Sequence, residues 1–309
     1  MSAPADAIGT ASPTAMDDPA RPAPFSWSVR REIWEHASLY LAPVIVGAVV
    51  LLASLSGAIK FGRFAMGHIQ ADIQFNGLAP AWAAAAPIAF VQFVILVTTL
   101  IVAAFYCLGA LYNERRDRSI LFWKSLPVSD FTAVAAKAVV PLLVLPIIAL
   151  VVAFAAEAVC LLIDVVLLPI LGVNPALLFQ GPLGDLAVYD VCQVVLTTLW
   201  WAPVWAWLIA VSAWAKRAPF LWAVGVPLAL AVFELIAVGR DDVWRIIGNR
   251  LNLAMPTQPT GVVAMFGHHV GHPTDIAAFF ERPGLWIGLA VAAALFAAAV
   301  RLRKGQGPS

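Results

Sequence analysis

The feature that most constrains this chain is its series of long, nearly uncharged apolar runs. A hydrocarbon core about 30 Å thick needs roughly 20 apolar residues in helical form. Six stretches reach or approach that length: residues 39–59, 86–111, 138–163, 191–214, 220–238 and 285–300. The sixth is short and must stand nearly upright. Residues 164–174 are apolar too, but Pro169 and Gly172 interrupt them. That run reads as an extension of the third span or as a shallow hairpin. Only 12% of residues are charged and 62% are hydrophobic, against about a quarter and about half in soluble domains. Those fractions exclude a soluble enzyme, a disordered protein and a nucleic-acid binder. The net charge of +1 implies no bulk electrostatic partner. Cys107, Cys160 and Cys192 all lie in apolar runs and spell neither a disulfide framework nor a zinc spacing.

The expected fold class is therefore an all-α integral membrane protein with six transmembrane helices. Residues 1–24, rich in Ala, Pro, Ser and Asp, lack the basic-then-apolar layout of a signal peptide and read as a disordered cytoplasmic tail. In residues 25–36, Phe25, Val29 and Ile33 recur every four positions while Arg30, Arg31 and Glu35 fall on another face. That pattern predicts an N-terminal helix lying in the membrane interface. The six-helix domain covers residues 25–300, and residues 301–309 form a basic cytoplasmic tail.

Charge sets the expected orientation. With the N-terminus inside, the cytoplasmic segments hold Arg21, Arg30, Arg31, Arg115, Arg116, Arg118, Lys124, Lys137, Lys216, Arg217, Arg301, Arg303 and Lys304. The outer segments hold Lys60, Arg63, Arg240, Arg245, Arg250 and Arg282. The excess of cations in short inner segments favours both termini on the cytoplasmic side. Pro43, Pro87, Pro141, Pro146, Pro203 and Pro227 fall inside spans. Kinks of that kind are tolerated where neighbours satisfy the freed carbonyls.

The most distinctive segment is the first cytoplasmic loop, residues 111–130. Its charges, Glu114, Arg115, Arg116, Asp117 and Arg118, come first. An apolar patch follows in Ile120, Leu121, Phe122, Trp123 and Leu126. The sequence then turns at Pro127-Val128-Ser129-Asp130, where Ser129 or Asp130 is placed to cap a new helix. The prediction is a short amphipathic helix attached to the second span, a turn, and the start of the third span.

These residues resemble the permease subunits of the ABC transporter type 2 (exporter-like) family. In that family a Glu-Arg motif follows the second span and a Leu-Pro-Val/Ile-Ser element comes shortly after. The corresponding residues here are Glu114-Arg115-Arg116-Asp117 and Leu126-Pro127-Val128-Ser129-Asp130. By layout the resemblance covers nearly the whole chain, and by motif about 20 residues. It implies that the loop is a cytoplasmic coupling helix received by a groove of an ABC ATPase subunit, present in two copies. Phe122, Trp123 and Leu126 have the chemistry of buried anchors, and Glu114, Arg115, Arg116 and Asp117 that of charge partners. The resemblance also implies a second permease copy, as a homodimer or a related heterodimer. The substrate it implies is amphipathic: a lipid, drug or peptide. The chain itself has no Gly-x-x-x-x-Gly-Lys-Ser/Thr sequence and no soluble run long enough for a nucleotide-binding domain. We therefore expect no cofactor and no enzymatic activity in this chain, with ATP and Mg held by the partner. Membrane lipids are the remaining expected contacts, and the same loop without a partner would simply bind anionic lipid.

Other candidates are weaker. Glu157 and Glu234 lie within predicted spans towards the outer side, with Asp164 near the outer boundary. Intramembrane carboxylates are costly and point to function by default. Together with Trp200 and Trp201 they are the candidates for a substrate path. They also support the rival reading, a secondary transporter or channel driven by an ion gradient. A membrane enzyme or scaffold is the third class, but no convergent catalytic set lies at one depth. Gln92, Gln193, Thr98, Thr99, Thr197 and Thr198 read as interhelical hydrogen-bond partners. In the last outer loop, residues 239–283, the stretch 241–251 has helical apolar spacing and predicts a helix along or dipping into the outer face. His268, His269 and His272 in the same loop have zinc- or copper-binding chemistry. No carboxylate or thiol but Asp275 completes that set, and we expect no metal centre.

Overall fold

The computed structural model describes residues 24–53, 80–117, 119, 129–170, 183–251 and 274–305. Among these the secondary structure is entirely helical. We number the helices α1 (Pro24–Glu35), α2 (Ser38–Ala53), α3 (Pro80–Ala110), α4 (Tyr112–Arg116), α5 (Asp130–Val139), α6 (Leu145–Ile170), α7 (Leu183–Trp214), α8 (Pro219–Val238), α9 (Asp242–Leu251), α10 (Thr274–Phe280) and α11 (Pro283–Gly305). Five segments are long and apolar enough to cross a membrane: Val91–Arg116, Asp130–Ile163, Asp190–Trp214, Pro219–Val238 and Pro283–Gly305. The chain is a multi-pass membrane protein, and these five correspond to the last five expected spans. α1 and α2 meet at a bend of 50°. Only the first part of the expected 39–59 span lies within the described residues, and the 1–23 tail lies outside them.

Several boundaries differ from expectation: α3 begins at Pro80 rather than near residue 86, and α11 runs from Pro283 to Gly305, so the last span is not short and the basic stretch 301–305 continues it. The third span does not begin near residue 138. Helix runs from Asp130 onward, passing from α5 to α6 through a π-turn at Val140–Val144. Pro141 stands at its start and lacks an N–H to give, and the wider turn carries the helix past it: the Leu145 amide reaches back to the Val140 carbonyl. The helix then continues to Ile170 despite Pro169, so that much of the 164–174 run is an extension of the span. α7 likewise begins two turns before the expected residue 191, which puts Asp190 on a helix rather than in a loop.

α7 lies at the centre. Its Trp205, Leu208, Ile209, Val211 and Ala213 share a buried cluster with Ala103, Tyr106 and Cys107 of α3, Leu111 between α3 and α4, Val134 of α5, and Ala299 and Val300 of α11. α3 and α6 pack through Val91 and Ile95 against Ala149, Ala153, Ala156 and Cys160. Small residues spaced three or four apart let two membrane helices approach closely, and dispersion then holds them. α8 is peripheral. Only Ala223 and Ala231 are buried there, while Phe220, Leu221, Phe233 and Ile236 are exposed apolar surface. Such a surface suits hydrocarbon rather than water.

Thr98, Thr99 and Thr198 do not bridge helices. Their hydroxyls donate to the carbonyls of Val94, Ile95 and Val194, four residues back in their own helices. That local acceptor is always within reach of a helical threonine.

Candidate charge-cluster site at the base of the loop

The loop singled out in the sequence leaves α4 and re-enters at α5. Arg118, Phe122, Trp123, Leu126 and Pro127 lie outside the described residues. The two ends of the loop are described, and both lead into one cluster of charges.

At the second end Ser129 is the N-cap. Its Oγ accepts from the Thr132 amide at 3.1 Å, satisfying one of the orphan donors of α5. Asp130 follows in the first turn, where a negative charge meets the positive end of the helix dipole. Of the two cap candidates, Ser129 takes the role and Asp130 is left to pair elsewhere.

At the first end Glu114 and Arg115 are buried, while Arg116 and Asp117 are exposed and pair with each other at 3.0 Å. Glu114 Oε2 accepts from Arg303 Nη1 of α11 at 2.7 Å, and Glu114 Oε1 lies 3.1 Å from Lys137 Nζ of α5. Arg31 of α1 is 3.7 Å from the same oxygen. Lys137 also donates to Glu32 Oε1 at 2.8 Å, and the Tyr106 hydroxyl donates to Glu32 Oε2 at 2.8 Å. Arg303 Nε donates to Asp130 Oδ1 at 3.2 Å. Three acids, Glu32, Glu114 and Asp130, thus meet three bases, Arg31, Lys137 and Arg303, across α1, α4, α5 and α11. Glu32 is fully buried, Lys137 is 2% exposed and Arg303 5%. Buried charges must be paired because desolvation is otherwise unrepaid. Here each sign is matched within hydrogen-bond distance.

The electrostatics of Glu32 illustrate the balance. Burial works to raise its pKa. The Lys137 charge, with hydrogen bonds from Lys137, Arg31 and Tyr106, outweighs burial and holds it at about 2, below the ordinary 4.5. The carboxylate is ionised at neutral pH and locks α1 to α5.

Arg115 has a different job. Its Nη2 donates to the carbonyls of Ser212 at 2.6 Å and Ala215 at 2.8 Å, at the C-terminus of α7. Ser212 Oγ in turn accepts from the Leu111 amide at 2.9 Å. A cation on the last carbonyls of a helix meets both its unsatisfied acceptors and its dipole. The Glu-Arg motif therefore turns inward with its first two residues and outward with its last two. Among the described residues, only Arg116 and Asp117 of that motif remain available to charges on another chain.

Glu32, Tyr106, Lys137 and Arg303 were not among the sequence candidates. Lys137 carried a usable signal. It shares a helical face with Val134 and Val140, both fully buried, so its charge had to be buried with them. On α1 Ser28 and Glu32 point inward, Glu32 towards its ionic partner Lys137, while Val29 and Ile33 are half-buried. Phe25, Trp27 and Trp34 are exposed, with Arg30 stacked 4.5 Å over Trp34. An aromatic and cationic face of this kind suits a membrane interface.

The weaker candidates are scattered. Glu157 of α6 is buried and lies beside buried Asp190 of α7. Glu234 sits elsewhere: its Oε2 accepts from the Val243 amide at 2.7 Å, in the first turn of α9. α8 ends at Gly239, whose φ of +69° turns the chain back so that α9 starts beside Glu234. Trp200 meets the far end of α9. Its Nε1 donates to the Asn249 carbonyl at 3.2 Å, and the Arg250 guanidinium stacks 4.1 Å over its ring. Arg250 also donates to the carbonyls of Trp200 at 3.0 Å and Gly284 at 2.8 Å. Trp201 stacks on Trp205 at 5.4 Å instead. Glu157, Glu234, Trp200 and Trp201 thus do not form one lining. His268, His269 and His272 lie outside the described residues, and no group with metal-ligand potential occurs among the described ones.

Comparisons with protein-family models, with curated proteins and with solved structures return no match.

Proposed function

We propose that this chain is the six-span permease subunit of an ATP-driven ABC exporter, with the 111–130 loop as its coupling helix. The observation that carries the reading is the seating of that loop. Glu114 and Arg115 at one end and Ser129 and Asp130 at the other are fixed into four helices by buried ion pairs and caps. A loop that only touched lipid would need no such foundation. A loop that receives force must pass it to the helices without yielding.

On this reading α1 lies in the cytoplasmic membrane interface, both termini are cytoplasmic, and the protein sits in the cell membrane. A partner ATPase in two copies binds ATP and Mg. Phe122, Trp123 and Leu126 enter its groove, and Arg116 and Asp117 meet its charges. A second permease copy, identical or related, completes the path for an amphipathic substrate. Replacing Trp123 and Leu126 with Glu is expected to abolish co-purification of the ATPase while the chain remains folded in detergent. Undiminished co-purification refutes the docking.

A second reading has one observation of its own. The buried carboxyl groups of Glu157 and Asp190 lie beside each other between α6 and α7, where two like charges would repel. A gradient-driven carrier would use such a pair. It would lose transport on Glu157→Gln, whereas the exporter keeps its ATPase association and transports within about twofold of wild type.

A further inference from the structure

Arg303 belongs to no loop motif and stands near the end of the chain. Yet among the described residues it is the one that touches both ends of the 118–128 segment: Glu114 before it, at 2.7 Å, and Asp130 after it, at 3.2 Å. It is separated from them by 189 and 173 residues in sequence. Its side chain is 5% exposed. A guanidinium is suited to this task because its donors lie in one rigid plane and can serve two carboxylates at once, which a lysine ammonium does with less geometric control.

The helix that carries Arg303 is held at its other end as well. Arg250 of α9 donates to the Gly284 carbonyl in the first turn of α11 and lies against Gly288, where an added Cβ would be 2.5 Å from its Nη2. Between these points α11 packs against α7 through Leu285, Ala299 and Val300. A helix is stiff along its axis. One pinned at both ends moves as a unit when either pin moves.

We propose that Arg303 is a positioning residue that clamps the two ends of the coupling loop to the last span, so that displacement of the loop is delivered to α11 and through Arg250 to α9. The stroke therefore enters the spans on either side of the loop and the C-terminal span together. This rests on the docking reading above, and the test separates the two.

The full chain is reconstituted in nanodiscs with Cys107, Cys160 and Cys192 replaced by alanine, and nitroxides are placed at the exposed positions Asp117 and Arg301. Pulsed electron resonance is expected to give one narrow distance distribution. Arg303→Gln is expected to broaden it by about twofold or more, and Arg303→Lys, which keeps one ion pair, by less. A distribution unchanged in Arg303→Gln overturns the clamp. For the stroke, the tagged chain is purified from its own membranes with whatever P-loop ATPase accompanies it. Arg303→Gln is expected to retain that ATPase in equal yield. It is also expected to lose the ATP-dependent shift between labels at Phe131, exposed beside Asp130 at the second end of the loop, and Trp286, a residue 57% exposed at the Gly284 end of α11. A retained shift overturns the transmission. A wild-type purification without any ATPase refutes the docking reading and the stroke with it, while the first experiment still decides the clamp.

Discussion

Glu114→Gln is the substitution with the most calculable consequence. The change removes a charge and keeps the shape. In the native protein Glu114 faces Arg303 at 2.7 Å, Lys137 at 3.1 Å and Arg31 at 3.7 Å, in a site from which water is largely excluded. Removing one member of a buried ion pair costs about 3–5 kcal/mol, because the remaining charge stays desolvated. The cost here is tempered, since Lys137 keeps Glu32 at 2.8 Å and Arg303 keeps Asp130 at 3.2 Å. A loss of about 3 kcal/mol follows, near the top of the range for hydrogen bonds to charged groups. For a chain of this size that lowers Tm by about 6–12 °C. Arg116→Gln supplies the control. It lies two residues away but is exposed, and pairs only with exposed Asp117. Surface pairs of that kind contribute little, because water and salt screen them. Thermal denaturation of both variants in one detergent, followed by near-ultraviolet dichroism, makes the comparison. Equal Tm values for the two would refute the inward orientation of Glu114.

Three further outcomes are expected. The Glu32 pKa is depressed, so its stabilisation is fully present above about pH 4.5 and is lost as the pH falls through about 2. The wild type is expected to lose about 3 kcal/mol relative to Glu32→Gln across that window, and parallel pH profiles would contradict the pairing. Ser129→Ala removes the acceptor for the Thr132 amide and is expected to cost about 1 kcal/mol, read as a Tm lower by about 2–4 °C. Gly288→Ala places a methyl group where the Arg250 guanidinium rests, and is expected to speed tryptic cleavage after Arg250 by about fivefold or more; unchanged cleavage would mean that α9 is not held there.

The parts of the fold that depend on local pattern were legible. Run length gives five of the spans, because the thickness of a bilayer leaves little choice. The Pro127-Val128-Ser129-Asp130 sequence gives the start of α5, because capping is decided within four residues. What escaped depends on contacts remote in sequence. Lys137 pairs with Glu32 across 105 residues, and Arg303 with Glu114 across 189. Read locally, both are ordinary loop or tail cations. Glu234 stands within a span as expected, but its partner escaped for a subtler reason. Its partner Val243 is only nine residues away, but the turn at Gly239 decides that the two meet. The contact of Trp200 with Asn249 and Arg250 escaped because the packing of α9 against α7 is a tertiary event.

The central claim is that the 111–130 loop is received by an ATPase. The most direct measurement places a photo-reactive phenylalanine analogue at Trp123 of the otherwise unaltered chain and irradiates it in its own membranes. The account predicts a crosslink to one polypeptide carrying a Gly-x-x-x-x-Gly-Lys-Ser/Thr sequence, lost when Leu126 is also changed to Glu. Crosslinks to lipid alone, with no protein adduct, would contradict it and leave the loop as a membrane anchor.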